Sequence, residues 1–217
     1  MGKCPDTDGQ IPLSIPEYTQ YAKIKPESVR ERETDISDEQ ILSWLQDKKL
    51  AEQGFRALLE KYQERLYWHV RRLVVDHEDA NDVIQESLVK VFRKINTFRG
   101  RSSLYTWLYR IVTNEALSFL RKQKRKATQS IDDEELLLAN QLRADAYFDG
   151  DEAQVQLQAA IHRLPEKQRI VFNLRYFDNL SYQDISDILG TSTGALKASY
   201  HHAVKKIEQY VTARATS

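Results

Sequence analysis

Three carboxylates recur at helical spacing in the middle of the sequence. Asp79, Asp82 and Glu86 are spaced i, i+3, i+7, so a helix would carry all three on one face. Like charges at these spacings cost about 0.2 to 0.5 kcal/mol per pair, which a basic partner would offset. The alternative is an acidic face that contacts only solvent. The helix dipole stabilises acids near a helix N-terminus, which would explain Asp79 but would explain Glu86 poorly. We therefore predict a surface that binds a basic partner.

A second set of polar side chains, farther along the chain, has the chemistry of nucleic-acid binding. One helix would project all of them to one side, with Trp107 at the border: Ser103, Thr106, Arg110, Asn114, Arg121 and Lys124. Cations bind phosphates, amides and hydroxyls reach base edges, and aromatic rings stack on bases, as a single-stranded or locally opened nucleic acid requires. Trp107 alone could be a core residue, whereas the whole stripe predicts a nucleic-acid surface.

The sequence near the C-terminus predicts a helix-turn-helix. Ser181 and Asp184 have capping-box spacing at the start of a short apolar helix. Gly190 permits a left-handed turn, and Ser192 can cap the next helix. A helix that enters a major groove presents polar and basic side chains outward; here they are Thr193, Lys197, Ser199, His201, His202, Lys205 and Lys206. A purely structural αα-hairpin would share the glycine turn.

Charge is segregated along a chain whose formal net charge is zero. Residues 99–126 hold eight lysines and arginines against Glu115, and residues 127–156 hold eight acids against Arg143. This separation predicts a polyanion-binding surface beside an acidic connector that shields it when no ligand is bound.

The elements that must position these residues are predicted to be helices. Residues 27–164 contain no proline, and the chain has 7 glycines in 217 residues, so the frequent turns of a sandwich or barrel are missing. We predict an all-α protein of two small helical domains joined by an acidic linker. The segments are a flexible N-terminal arm at 1–36, a helical domain at 37–126, the linker at 127–154 and a helix-turn-helix domain at 155–217.

The cysteine, histidine and apolar content of the chain bears on disulfides, metal sites and membrane segments. A single cysteine, Cys4, excludes a disulfide framework and a zinc cluster built on cysteine. No apolar run has the length of a signal peptide or a membrane span, so we predict a cytoplasmic protein that does not insert into a membrane. The adjacent His201 and His202 point to different sides of a helix and do not form a metal pair. We assign no catalytic residue, no metal and no cofactor.

Together these motifs resemble those of the bacterial extracytoplasmic-function (ECF) sigma factors, within the sigma-70 family. The resemblance rests on DVIQE at 82–86, FRG at 98–100 before TWLYRIVTN at 106–114, Leu164-Pro165 and the helix-turn-helix. It covers about residues 37–126 and 155–210. It implies sigma region two and region four, in a factor that binds core RNA polymerase, recognises two promoter elements and promotes DNA melting without catalysis of its own.

The resemblance also implies three sets of binding residues. The polymerase-binding set is Asp79, Asp82, Val83, Gln85 and Glu86. The minus-ten set is Phe98, Arg99, Gly100, Arg101, Ser102, Ser103, Thr106, Trp107, Arg110, Asn114 and Arg121. The minus-thirty-five set is Ser192, Thr193, Lys197, Ser199, Tyr200, His201 and Lys205. The implied partners are core RNA polymerase and promoter DNA, with an anti-sigma factor as an optional third.

One motif departs from the family, and three other functions compete. Where the family usually has Gly-Thr-Val-Lys-Ser-Arg, residues 194–199 read GALKAS, so the final serine and arginine are replaced. A conventional helix-turn-helix regulator would bind duplex DNA without polymerase. An adaptor would bind a sigma factor instead of polymerase. A nuclease would need carboxylates that converge on a pocket, whereas Asp79, Asp82 and Glu86 lie along one helix.

Overall fold

The computed structural model of the protein describes residues 36–126 and 152–215, and within these ranges the regular structure is entirely helical. The first helical unit consists of α1 (Asp38–Gln46), α2 (Ala51–Val74), α3 (His77–Lys94), a 3-10 turn (Ile95–Thr97) and α4 (Leu104–Lys126). The second unit consists of α5 (Glu152–His162), α6 (Glu166–Tyr176), α7 (Tyr182–Leu189) and α8 (Thr193–Ala215). The all-α fold class is confirmed. Residues 1–35 of the predicted arm and 127–151 of the predicted linker lie outside the described residues.

The first unit packs around α2, whose length brings α1, α3 and α4 onto one core. Apolar residues of α4 at i, i+4 and i+8, namely Leu108, Val112 and Ala116, are fully buried. They meet buried side chains of α2 and α3, among them Leu66 and Ile84. These stripes fix which sides of α3 and α4 remain for binding, because a helix can bury only one face against its neighbours.

The second unit packs α8 along α5, α6 and α7. Leu196, Ala203 and Ile207 form the buried side of α8, as their spacing predicts. The ring of Tyr200 stacks on that of Phe172 of α6, with centroids 5.8 Å apart. This packing fixes the position of α8 relative to α6 and α7.

The helix boundaries follow from local capping chemistry. The Ser181 hydroxyl accepts from the Asp184 N–H at 3.1 Å, and Asp184 accepts in return from the Ser181 N–H, so the predicted capping box is confirmed. Gly190 ends α7 at φ 65°, as predicted for the turn. The Ser37 hydroxyl similarly caps α1 by accepting from the Gln40 N–H at 3.2 Å.

Two glycines should respond oppositely to alanine. A Cβ on Gly54 would lie 2.7 Å from the Leu45 backbone nitrogen, so α1 and α2 would have to separate. Gly54→Ala should therefore lower the free energy of unfolding by about 1–3 kcal/mol. A Cβ on Gly194 of α8 meets nothing within 4 Å, so Gly194→Ala should raise it by about 0.5–1 kcal/mol. Urea denaturation measures both, and destabilisation of similar size in both variants would contradict this packing.

His162 should make stability depend on pH. Burial lowers the pKa of His162 from 6.5 to about 3, with help from the charges of Arg169 and Arg71. Between these values the unfolded chain binds a proton that the folded chain does not. Stability should therefore fall as the pH drops from 6.5 towards 3, by up to about 1.4 kcal/mol per pH unit from this residue.

The matched variants separate this effect from general acid denaturation. His162→Gln should flatten the pH dependence of the free energy of unfolding between pH 6.5 and pH 4.5. The control, His202→Gln, changes an exposed position on α8 and should keep the wild-type dependence. Equal slopes in both variants and the wild type would refute the role of His162.

Candidate functional site

The predicted acidic residues lie on the outer side of α3. Asp82, Gln85 and Glu86 are exposed, and with the half-buried Asp79 they form what we call the acidic face. Asp79 accepts from the Gln123 side chain of α4 at 3.3 Å. Burial raises the pKa of Asp79, and the nearby carboxylates of Asp76 and Asp82 raise it further. The acidic face is thus a patch of concentrated negative charge.

Val83 differs from its neighbours in the predicted polymerase-binding set. Its side chain is 2% exposed and belongs to the core of the first unit. Val83 therefore orients α3 but offers no surface to a partner.

Two apolar side chains extend the acidic face, and sequence reasoning missed them. Val89 is 49% exposed and Phe92 is 54% exposed, the latter edge-to-face with Phe55 at 5.2 Å. They follow Glu86 and Gln85 by three and seven residues, so helical spacing could have placed them on the same side. Exposed apolar groups beside polar ones are typical of protein-binding surfaces.

The loop before α4 presents an aromatic pair. Phe98 and Trp107 are half-buried and meet at a centroid distance of 5.5 Å with an interplanar angle of 64°. Gly100 has φ +67°, a left-handed conformation that lets the loop turn sharply. The Ser103 hydroxyl accepts from the Thr106 N–H at 3.0 Å and so caps α4.

The predicted minus-ten residues divide into an open group and a covered group. Arg99, Arg101, Ser103, Asn114 and Arg121 are exposed, and Ser102 is half-buried. With Phe98 and Trp107, these residues form a cationic and aromatic surface, which we call the α4 surface. Its chemistry suits phosphates and unstacked bases.

Thr106 and Arg110, the covered group, contact the second unit. Thr106 is 1% exposed, and its hydroxyl donates to Asp184 Oδ1 of α7 at 3.1 Å. The Arg110 guanidinium donates to the main-chain carbonyl of Asp187. These partners are far away in sequence, so no local pattern could have predicted that the two side chains are covered.

Helix α8 exposes a basic strip. Lys197, His201 and Lys205 are exposed at i, i+4 and i+8. The Ser192 hydroxyl accepts from the Ala195 N–H at 3.4 Å at the start of the helix. Thr193 and Ser199 are half-buried. The strip has the charge and the single-sided placement that major-groove binding needs.

Tyr200, although predicted for the same surface, lies on the buried side of α8. It is 5% exposed, and burial raises the pKa of its hydroxyl to about 12. The ring is part of the core that the second unit builds around Phe172.

The described ranges offer neither a metal centre nor a membrane span. No group of three or more His, Cys, Asp or Glu side chains there is placed to hold a metal ion. None of the helices at 36–126 and 152–215 combines the length and apolar character needed to cross a membrane.

Comparison with known families assigns both helical units. The family described as Sigma-70 region 2 matches residues 58–126, and the family described as Sigma-70, region 4 matches residues 154–207. The two matches therefore fall on the first unit and on the second unit.

Similar proteins extend the match over most of the chain. The RNA polymerase sigma-H factor of Pseudomonas aeruginosa is 31% identical over 186 residues, covering 81% of this chain and 94% of that protein. The ECF RNA polymerase sigma-E factor of Haemophilus influenzae is also 31% identical over 186 residues, covering 81% and 96%.

A solved structure shares the fold. The sigma factor RpoE of Bartonella quintana, in complex with the anti-sigma factor NepR, aligns with a TM-score of 0.60 at 23% identity, over 73% of this chain and 96% of RpoE. CnrH, in complex with the cytosolic domain of CnrY, aligns with a TM-score of 0.58 at 19% identity, over 81% and 95%. The acidic α3, the cationic and aromatic α4 and the helix-turn-helix thus belong to an ECF sigma factor of the sigma-70 family, a transcription initiation factor.

Proposed function

We propose that the chain binds core RNA polymerase through the acidic face, with Val89 and Phe92 extending the contact. The exposed carboxylates on α3 favour a basic partner surface. The two apolar side chains supply the buried area that charge alone does not provide, since exposed rim charges contribute little affinity. Asp79, which is half-buried, sits at the edge of this contact and links it to α4.

We propose further that the α4 surface binds the minus-ten element as a melted strand. Phe98 and Trp107 offer ring faces for an unstacked base, while Arg99, Arg101 and Arg121 offer cations for the backbone. Stacking of one base on an aromatic side chain is worth about 1–3 kcal/mol, which offsets part of the cost of unpairing.

The minus-thirty-five element is assigned to the basic strip on α8. Ser192 and Thr193 lie at the N-terminal end, where main-chain N–H groups and a hydroxyl can meet phosphate. Lys197, His201 and Lys205 continue along the same side towards the backbone. With alanine at 198 and serine at 199, this helix reads its site with shorter side chains than the family pattern provides.

We propose that the chain has no catalytic role of its own and acts in the cytoplasm, where polymerase carries out the chemistry. An anti-sigma factor is a further proposed partner. The support for it is that RpoE of Bartonella quintana, which shares this fold, was solved with an anti-sigma factor.

One observation carries the proposal. The acidic face and the α4 surface belong to adjacent, tightly packed helices, joined by the Lys90–Glu115 ion pair and the Asp79–Gln123 hydrogen bond. A polymerase bound to α3 would therefore hold α4 at a fixed position over promoter DNA.

The experiment is titration of the full chain against core RNA polymerase and, separately, against duplex DNA without polymerase. A one-to-one complex with polymerase and weak duplex binding by the chain alone are the expected results. Tight duplex binding without affinity for polymerase would instead identify a conventional helix-turn-helix regulator.

A further inference from the structure

The exposed side of α8 has an alanine at its centre. Ala198 is exposed and lies opposite Leu196 and Ile207, which are each 1% exposed and belong to the core. Gly194 lies one turn earlier on the same line, and a Cβ there would meet nothing within 4 Å. The N-terminal residues of a helix in the major groove contact base edges. Ala198 is in the second turn of α8, so its methyl group would face those edges.

The long side chain next to Ala198 extends away from it, towards α7. Lys197 Nζ lies over the ring of Tyr182, the first residue of α7, at 5.5 Å from the ring centroid. The Arg175 guanidinium lies over the same ring at 5.1 Å and donates to the Leu180 carbonyl at 2.9 Å. A cation is attracted to the face of an aromatic ring. The Tyr182 ring therefore holds Lys197 aside and leaves the Ala198 methyl group open.

Two imidazole rings stand beside the Ala198 methyl group. His201 and His202 are exposed and follow Ala198 by three and four residues. Their ring centroids are 6.0 Å apart, with an interplanar angle of 56°. Helical side chains lean towards the N-terminus, so both rings lie over the turn that carries Ala198. We call these three residues the methyl notch, because a methyl group forms its floor and two rings form its sides.

The chemistry of the methyl notch matches one base. Thymine presents an apolar group in the major groove, its C5-methyl, and alanine is among the side chains that contact it. Adenine and cytosine present amino donors there, and guanine presents two acceptors. An alanine methyl group has no hydrogen-bonding atom to offer to any of these three bases. The methyl notch therefore favours thymine over the other bases.

We propose that the methyl notch reads a thymine of the minus-thirty-five element through its C5-methyl group, which makes Ala198 a specificity-determining residue. The proposal rests on the proposed function of α8. The charges of the basic strip favour phosphates, and phosphate contacts carry no sequence information. The methyl notch adds the sequence preference that these charges do not supply.

The test first changes the DNA and leaves the protein intact. A holoenzyme of core RNA polymerase and the full chain selects bound duplexes from a promoter-length library of randomised sequence. In a selected duplex, each thymine of the upstream element is then replaced singly by uracil, which removes the C5-methyl group and keeps the base pair. Competition binding measures the affinity at a temperature that keeps the duplex closed, so that melting of the downstream element does not contribute.

Uracil at one thymine of the upstream element should weaken binding of the wild-type holoenzyme by about 3- to 5-fold, because the burial of one methyl group is lost. Ala198→Gly should weaken binding to the thymine duplex by the same factor and abolish the effect of uracil at that position. The control, Ala213→Gly, makes the same substitution at an exposed position near the other end of α8 and should keep the full uracil effect. Circular dichroism confirms that both variants are folded.

Three outcomes would overturn the proposal: a selected upstream element without thymine, uracil without effect at every thymine, or a uracil effect that persists in Ala198→Gly. Each of them requires that an upstream element is selected, and so leaves the assignment of α8 to that element intact. Selection of duplexes that share no upstream element would overturn the proposed function of α8 instead.

Discussion

Replacing Glu86 by lysine should weaken binding to core RNA polymerase by at least about 30-fold, equivalent to about 2 kcal/mol. Glu86 is exposed at the centre of the acidic face, between Gln85 and the apolar Val89. A lysine there would oppose the basic partner surface that the acidic face predicts. Because the position is exposed, the free energy of unfolding should change by less than about 0.5 kcal/mol. Fluorescence titration of labelled protein with core polymerase measures the affinity.

The control for this variant is Glu64→Lys, which makes the same charge change at an exposed position of α2. It should bind polymerase within about 2-fold of the wild type. If Glu86→Lys and the wild type bound polymerase equally, α3 would no longer be a candidate for the polymerase contact.

Trp107→Ala should impair promoter opening far more than polymerase binding. Removal of the indole takes away the ring that, with Phe98, can hold an unstacked base. The loss of stacking is worth about 1–3 kcal/mol, so the equilibrium between open and closed promoter complexes should fall by about 5- to 150-fold. Fluorescence of a 2-aminopurine base in the minus-ten region reports the open fraction, and affinity for polymerase should stay within about 3-fold.

Trp107 is half-buried, so loss of packing must be separated from loss of stacking. Trp68→Ala removes an indole of α2 that packs against Tyr67, with centroids 5.5 Å apart. Both variants should lose stability, but only Trp107→Ala should lose opening at a temperature where both are folded. Equal opening defects in the two variants would show that stability, and not base capture, limits the reaction.

Local signals in the sequence predicted the helices and their ends. The Ser181–Asp184 capping box and the left-handed Gly190 are visible in the chain because capping chemistry acts within four residues. The same locality explains the correct placement of Leu196 and Ile207 on the buried side of α8.

The orientation of individual site residues was harder to predict. Val83 and Tyr200 were assigned to binding surfaces, yet both are buried, because neighbouring helices decide which side of a helix is covered. Conversely, Phe92 has an apolar side chain but is exposed on the surface of α3. Residue type gives only an average tendency towards burial.

Contacts between the two units could not be predicted at all. The Asp178 carboxylate contacts His69 and Arg72, which lie 109 and 106 positions earlier in the chain, before the predicted acidic linker. His69 and Arg72 sit in an ordinary helical stretch, and Asp178 reads as a turn residue. Only the packing of α7 against α4 reveals that Thr106 and Arg110 are occupied.

Promoter opening by a reconstituted holoenzyme tests the central claim most directly. Core RNA polymerase with an equimolar amount of the chain is incubated at fixed salt with a library of promoter-length duplexes, and unpaired thymines are mapped with permanganate. We expect a one-to-one complex that opens a defined subset of duplexes sharing two elements, with reactivity confined to the downstream one. A chain that binds duplex DNA but neither assembles with polymerase nor produces unpaired thymines would contradict the claim.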